Sequence, residues 1–406
     1  MSMRIAVVAR SADRAGGAET YLESVVPLLV QRKHEVALCL EVPARARDLG
    51  AGARFALTPD LARAGFPDLR RWKPDVVFAN GLLDSGSEEA LLDIAPNVLL
   101  AHTYRGTCIS GTKTRSWPRP APCERALGWG CVPQYFPRRC GGRSPWTLAR
   151  DFTTERHRQR LLSRYSRVLT LSAHMRREYV RNGAPEGGTF VLPYFAPAVE
   201  PAPERLRGAE AWSLLYAGRM EPLKGGDLFV EALPQVRRML DMPLQVTLAG
   251  EGRSRRLWEA QAARIRRELP DISIRFVGWL EQHGMTAALR AADLLVLPSR
   301  WPEPFGLVGT EAAAHGVPAA AFAVGGIPEW LEDGETGHLA PPAPATAAAL
   351  AAAVVECLRD RAHYASLCAA ARRRAGEHPV GRHVDALVAH LTAAGDAASP
   401  RVGAIA

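Results

Sequence analysis

Glu303 and Glu311 stand eight positions apart, with Pro304-Phe305-Gly306 between them and a glycine pair, Gly325-Gly326, after the next apolar run. Carboxylates accept from sugar hydroxyls, and a glycine at a helix start lets backbone N–H groups come close to an anion. The segment therefore suits a polyhydroxylated, phosphorylated ligand, a nucleotide sugar. Upstream, Arg219 and Lys224 lie in AGRMEPLKGGDLF, with glycines on both sides and a helix expected from about Gly226. Two cations beside a helix N-terminus form a diphosphate site and would stabilise charge developing on a leaving group. In the front half, Gly16-Gly17 follows the first apolar run and His102 ends a later one.

Strands must position these groups, and strand and helix signals alternate along the chain. Ile5–Ala9 is an unalternating apolar run of the buried kind, and Val36–Leu40, Val76–Ala79, Val98–Ala101, Val168–Leu171 and Phe190–Leu192 repeat it. The proline-rich stretch from Ala196 to Pro203 reads as a linker. The pattern restarts at Leu214–Ala217 and continues through Gln245–Leu248, Ile274–Val277, Leu294–Leu297 and Ala319–Phe322. Helical periodicity fills Glu19–Lys33, Gly226–Leu240, Arg253–Leu269 and, as one stretch, Thr346–Ala375. A last helix is expected near His383–Leu391 and disorder from Ala394 onward. The expected fold class is α/β, with two Rossmann-like doubly wound domains facing an interdomain cleft. Residues 1–195 would form the acceptor-side domain, with a Cys-rich insert at about 105–145, and 206–376 the nucleotide-sugar domain; 377–393 would return to the first. Ligands in such sheets sit beyond the C-terminal strand ends. Gly16-Gly17, Arg219–Lys224 and Pro298–Gly306 all fall there.

The ordered set GGAE, His102 at a strand end, GRMEPLKG, LAGEG, PSRWPEPFGLVGTEA and VGGIPEWLEDGETG resembles a retaining glycosyltransferase of family 4, with the GT-B fold, over nearly all of residues 3–340. The resemblance implies transfer of a hexosyl group from a nucleotide-diphosphate sugar to an acceptor hydroxyl, with no metal or other cofactor. It implies that Arg219 and Lys224 hold the donor diphosphate, that Gly16 and Gly17 approach it, and that the N–H groups of Leu307 and Val308 meet sugar and phosphates. Glu303, with Phe305 and Gly306, would address the donor sugar, Glu311 the ribose, and His102 would lie near sugar and acceptor. Many relatives follow that histidine with Asp, whereas Thr103-Tyr104 follow here. His174, His283 and His315 match no partner and read as structural or exposed. A non-hydrolysing nucleotide-sugar epimerase is the rival enzyme, and a basic membrane-binding protein with a degenerate sugar site the rival from another class.

Composition bounds these readings. The chain has 406 residues, of which 47% are hydrophobic and 23% charged, ordinary for a globular protein of two domains. Neither a signal h-region nor a bilayer-spanning apolar stretch is apparent, which points to the cytoplasm or the inner face of the membrane. Net charge is +9, and residues 1–200 carry all of it, with 29 basic against 19 acidic residues. The arginines at 156, 158, 160, 164 and 167 read either as a solvated helix face or as a surface for anionic lipid or a phosphate-bearing acceptor. The acceptor expected is lipid-linked or otherwise anionic. Nucleic acid is disfavoured because aromatic interleaving is missing. Cys108, Cys123, Cys131 and Cys140 fall in the insert without a C-x-x-C pair, so unbridged thiols are expected ahead of a structural metal. Cys39, Cys357 and Cys368 read as small core residues.

Overall fold

Apolar runs without a polar face need cover on both sides, which a parallel sheet with helical crossovers supplies. The computed structural model describes residues 2–11, 17–42, 49–81, 84–199 and 210–398. In chain order the strands are β1 (Arg4–Ala9), β2 (Glu35–Leu40), β3 (Ala53–Ala56), β4 (Val76–Ala79), β5 (Asn97–Ala101), β6 (Thr114–Arg115), β7 (Ala121–Pro122) and β8 (Arg167–Thr170). There follow β9 (Thr189–Val191), β10 (Trp212–Ala217), β11 (Leu244–Ala249), β12 (Ile272–Gly278), β13 (Leu294–Leu297), β14 (Ala319–Phe322) and β15 (Gly337–Ala340).

Two parallel sheets result, ordered β3-β2-β1-β4-β5-β8-β9 and β12-β11-β10-β13-β14-β15, while β6 and β7 pair as a short antiparallel ribbon. In each large sheet the order reverses beside the first strand, at β1/β4 and at β10/β13. Loops after those strands diverge and leave a crevice, the usual ligand position. The chain divides into two units. The first holds the seven-stranded sheet, residues Glu124–Pro193 and the last helix; the second holds Thr114–Cys123 and Tyr194–Pro379.

In the first unit, Ala6, Val8, Cys39, Phe66, Leu69 and Val77 form a continuous core. The last helix, Val380–Ala398, closes one face by burying Val384, Leu387 and Leu391, and Arg32 pairs with Asp385 at 2.7 Å. In the second unit, the helix Gly226–Leu240 buries Phe229, Val230, Leu233 and Val236, the stripe its spacing predicts.

Several expectations are corrected. β3 and β15 had no clear signal, because ARFA is short and half-exposed and GHLA opens on glycine. Thr346–Ala375 is two helices, Ala347–Leu358 and Arg361–Gly376, because the Asp360 carboxylate accepts from the N–H groups of Ala362 and His363 and starts a new helix. The last helix runs to Ala398, so the disorder expected from Ala394 begins too early. The second half of the expected linker, from Glu200, and Gly16 lie outside the described residues.

Candidate functional site

Three loops at the C-terminal edge of the second sheet are locked together by backbone. Gly225 has a φ of 70°, and a Cβ there would collide with the carbonyl oxygen of Pro298. Gly325, at φ 60°, sits against the backbone of Glu303 in the same way, and Gly326 N–H donates to the Glu303 carbonyl at 2.7 Å. Only glycine tolerates such an approach with a left-handed φ. The pair Gly325-Gly326 therefore supports the Glu303 loop. Arg300 adds a bolt between the loops: its N–H donates to Leu223 O at 2.8 Å and its guanidinium to Asp227 at 2.8 Å.

This scaffold brings Lys224 and Glu303 together although 79 positions separate them. Lys224 Nζ lies 2.6 Å from Glu303 Oε1 and 5.1 Å from the centre of the Trp301 ring. Glu303 is 5% exposed, and the Ser299 hydroxyl donates to the same carboxylate oxygen. Arg219 differs: its backbone carbonyl accepts from Tyr216 OH at 2.8 Å, while its side chain is exposed.

Gly306, at φ 103°, precedes the helix Leu307–Ala314 and offers no side-chain cap. The first N–H groups of such a helix are orphan donors, and here they belong to Leu307 and Val308. Gly309 admits the Trp330 ring against this first turn, and Trp330 Nε1 donates to Phe305 O at 2.7 Å, so the helix start is pinned. Phe305 is buried, edge-on to Tyr194 at 5.7 Å between centroids. Glu311 is the fifth helical residue, little more than one turn from the helix start. Its half-buried carboxylate has no hydrogen bond or ion pair among the described residues, and burial pushes it up to about 7. The two acids thus live in opposite settings, Glu303 paired and Glu311 alone.

In the first unit, Gly17 is exposed at the start of the helix Gly17–Gln31, after β1. His102 follows β5 and Asn80 follows β4, so both stand beside the switch point. His102 Nε2 is 3.2 Å from Asn80 Oδ1; that oxygen only accepts, which places the imidazole proton on Nε2. Tyr21 packs edge-on to His102 at 5.4 Å and donates its hydroxyl to His383 Nε2 at 2.8 Å. His383 Nδ1 in turn donates to Pro193 O at 2.8 Å. Burial, and secondarily the neighbouring His383, pull His102 down to about 3, and burial pulls His383 to about 4. Both are neutral near pH 7. A cavity of about 180 Å³ opens beside His102, lined by Arg10, Glu19, Asn80, Thr103 and Arg105 among others.

Two groups escaped the sequence reading. Asn80 carried no signal, since an asparagine after a strand is ordinary turn chemistry. Arg158 was grouped with a solvated or lipid-facing run, yet it is 3% exposed and bridges Glu88 at 3.0 Å and Glu155 at 2.8 Å. Its neighbour Arg164 pairs with Glu89 and Asp93, and Arg167 lies over the Phe190 ring, so that run is less of a cationic face than its composition suggests. The one chain feature that foretold this is Glu155, three residues before Arg158. The insert thiols are unbridged; Cys131 and Cys140 point at the carbonyls of Ala126 and Gln134. Among the described residues no three metal-ligating side chains gather. His174 is edge-on to Tyr104, and His315 is buried at the end of its helix.

Two doubly wound parallel α/β units are the layout of the GT-B fold. The chain superposes on HepE from Anabaena, solved with UDP and glucose, with a TM-score of 0.69 at 19% identity, covering 96% of this chain and 100% of that one. Sucrose-phosphate synthase from Thermosynechococcus elongatus gives 0.67 at 21% identity over 97% and 100%. Residues 212–360 match the family model described as Glycosyl transferases group 1. Glycogen synthase of Mycobacterium tuberculosis is 43% identical over 161 residues, which is 40% of this chain and 37% of that protein. D-inositol 3-phosphate glycosyltransferase of Geodermatophilus obscurus is 35% identical over 256 residues, 59% and 55% of the two chains. The match thus spans about half or less of these curated relatives.

Proposed function

We propose that the protein is a retaining glycosyltransferase that moves a hexosyl group from a nucleotide-diphosphate sugar to an acceptor hydroxyl, in cell-surface polysaccharide, glycolipid or glycoside biosynthesis. The observation that carries this reading is the Lys224–Glu303 pair at 2.6 Å on locked loops at the β10/β13 switch point. A cation and a carboxylate fixed side by side can meet a phosphate and a sugar hydroxyl at once. Arg219 and Lys224 would bind the diphosphate, and Gly16 and Gly17 would approach it. The N–H groups of Leu307 and Val308 would complete its neutralisation without a metal.

Glu303 would accept from the donor sugar beside Phe305 and Gly306, and Glu311 from the ribose. The bond between the anomeric carbon and the phosphate oxygen breaks on the face where the acceptor oxygen attacks. The acceptor proton passes to the departing phosphate oxygen. His102, neutral and with its proton directed at Asn80, would order sugar and acceptor without carrying charge. The acceptor is anionic or lipid-linked, and the work is done at the inner face of a membrane. Among the described residues no helix is long and apolar enough to cross one.

A thermal-shift panel of nucleotides and nucleotide sugars tests the donor assignment, because a ligand of the native state stabilises it by mass action. One nucleoside diphosphate family should raise the melting temperature. A flat response across all of them would end the proposal. Consumption of the stabilising nucleotide sugar only when acceptor is supplied separates transfer from epimerisation, and turnover undiminished by EDTA supports metal independence.

A further inference from the structure

Four large apolar side chains of the first unit are exposed among its described residues, and three of them, Trp129, Phe136 and Trp146, fall within one 18-residue span. Trp129 is 76% exposed and Trp146 85%. Water rarely meets so much indole without a purpose, and clustered exposure marks an interaction surface.

The rings are held. A small separate core of Ile109, Leu127, Tyr135 and Phe152 organises the insert. Trp129 packs on Phe152 at 5.0 Å and Phe136 on Tyr135 at 5.2 Å, so both lean on that core from outside. Trp146 lies in the first turn of the helix Pro145–Leu161, which also carries Phe152. Gly141 sits against the Tyr135 hydroxyl and Gly142 against Thr147, tying the intervening loop to the core and to that same turn.

Charge decides what the surface meets. Residues 128–150 contain four arginines, at 138, 139, 143 and 150, and no acid, although Arg150 pairs with Asp151 at 2.9 Å. Arg139, Arg143 and Arg150 are exposed. Tryptophan prefers the boundary between headgroups and acyl chains, and arginine pairs with phosphates just above it. We propose that the 128–150 segment is a docking surface for an anionic lipid bilayer, with Trp129, Phe136 and Trp146 entering the interface and the arginines engaging headgroup phosphates. This moves membrane contact away from the Arg156–Arg167 run, whose Arg158 and Arg164 are already paired. It does not depend on the donor reading.

The test is cosedimentation of the full chain with vesicles of phosphatidylcholine alone or of an equimolar mixture with phosphatidylglycerol. Binding should appear with the mixture, weaken as salt is raised, and fall about tenfold or more in Trp129→Ser/Trp146→Ser. Arg143→Gln/Arg139→Gln should lower it by several fold while keeping the residual binding to neutral vesicles. The melting temperature of each variant without ligand reports that the fold is retained, and the nucleotide shift, measured separately, keeps failure here distinct from failure of the donor assignment. Equal binding by wild type and the tryptophan variant, or no binding to either vesicle, overturns the proposal. So does self-association of the wild type, abolished by the same substitutions, without vesicle binding; the rings would then serve a second copy of the chain.

Discussion

The two sheets place chemistry at the same topological position and supply it with opposite electrostatics. Beside β1/β4 stands a neutral imidazole, His102, drawn down to about 3. Beside β10/β13 stand an ion pair and, a turn into the next helix, a lone carboxylate raised to about 7. Burial causes both shifts, and it penalises the charged form of each group. At the first the central imidazole stays uncharged, although Arg10, Glu19 and Arg105 line the cavity beside it. The second concentrates charge, which is what the proposed diphosphate site requires.

Removal of Lys224 should have the largest effect. Lys224→Ala leaves Glu303 buried without its cation, so it should cost about 3–5 kcal/mol in stability besides abolishing turnover. Arg219→Ala, at an exposed position, should lower turnover by about 100-fold or more with stability changed by less than about 0.5 kcal/mol. Urea unfolding and initial rates on both variants check this, and equal stabilities would break the assigned contrast. Lys224→Ala/Glu303→Gln should recover stability but not activity.

The pH responses should run in opposite directions. His102 and His383 have folded values below the ordinary 6.5, so the unfolded chain binds more protons and stability falls as pH drops from about 6.5 toward 4. Glu311 has a folded value above the ordinary 4.5, so its contribution falls as pH rises from about 4.5 to 7 and is constant above. Glu311→Gln should therefore stabilise the unliganded protein by about 1–3 kcal/mol at pH 8, with the gain gone near pH 4.5. The same variant should bind nucleotide more weakly, and wild-type affinity should drop below about pH 7, because only the carboxylate accepts from both ribose hydroxyls. Unfolding and nucleotide titrations across pH measure both; a pH-independent gain would contradict the assignment.

A smaller effect is expected at Asn80. Asn80→Ala removes the acceptor that fixes the His102 proton and leaves a buried N–H unmatched, so turnover should fall by about tenfold with a stability loss of about 1–3 kcal/mol. Asn80→Asp should restore the proton position and, by raising the imidazole's basicity, introduce a new limb into the pH–rate profile. A profile unchanged in both variants would remove Asn80 from the site.

Most of the fold was legible because buried parallel strands leave an unmistakable run: Leu294–Leu297 and Ala319–Phe322 coincide with β13 and β14. The positions after those runs were legible too, which is why Arg219, Lys224, Glu303 and Glu311 could be named. Their relations were not. Nothing local says that Lys224 faces Glu303, since that contact depends on Gly225 and Gly325 closing loops from distant parts of the chain. Arg158 misled for the converse reason: its helical neighbours are basic, and the acid Glu88 that justifies its burial is 70 positions away. Short strands such as β15 owe their state to a neighbour's open edge, β14, more than to their own residues.

The last helix has a consequence for synthesis. β1 leaves the ribosome before the second unit, yet the face around Tyr21 is covered by His383, Val384 and Leu387, which leave after it. Between them the entire second unit is translated and free to fold as an inserted body. The first domain to be made is thus the last to be finished. A premature stop between Pro379 and His383 would release a chain with a complete second unit and an open first one, prone to capture by chaperone or protease.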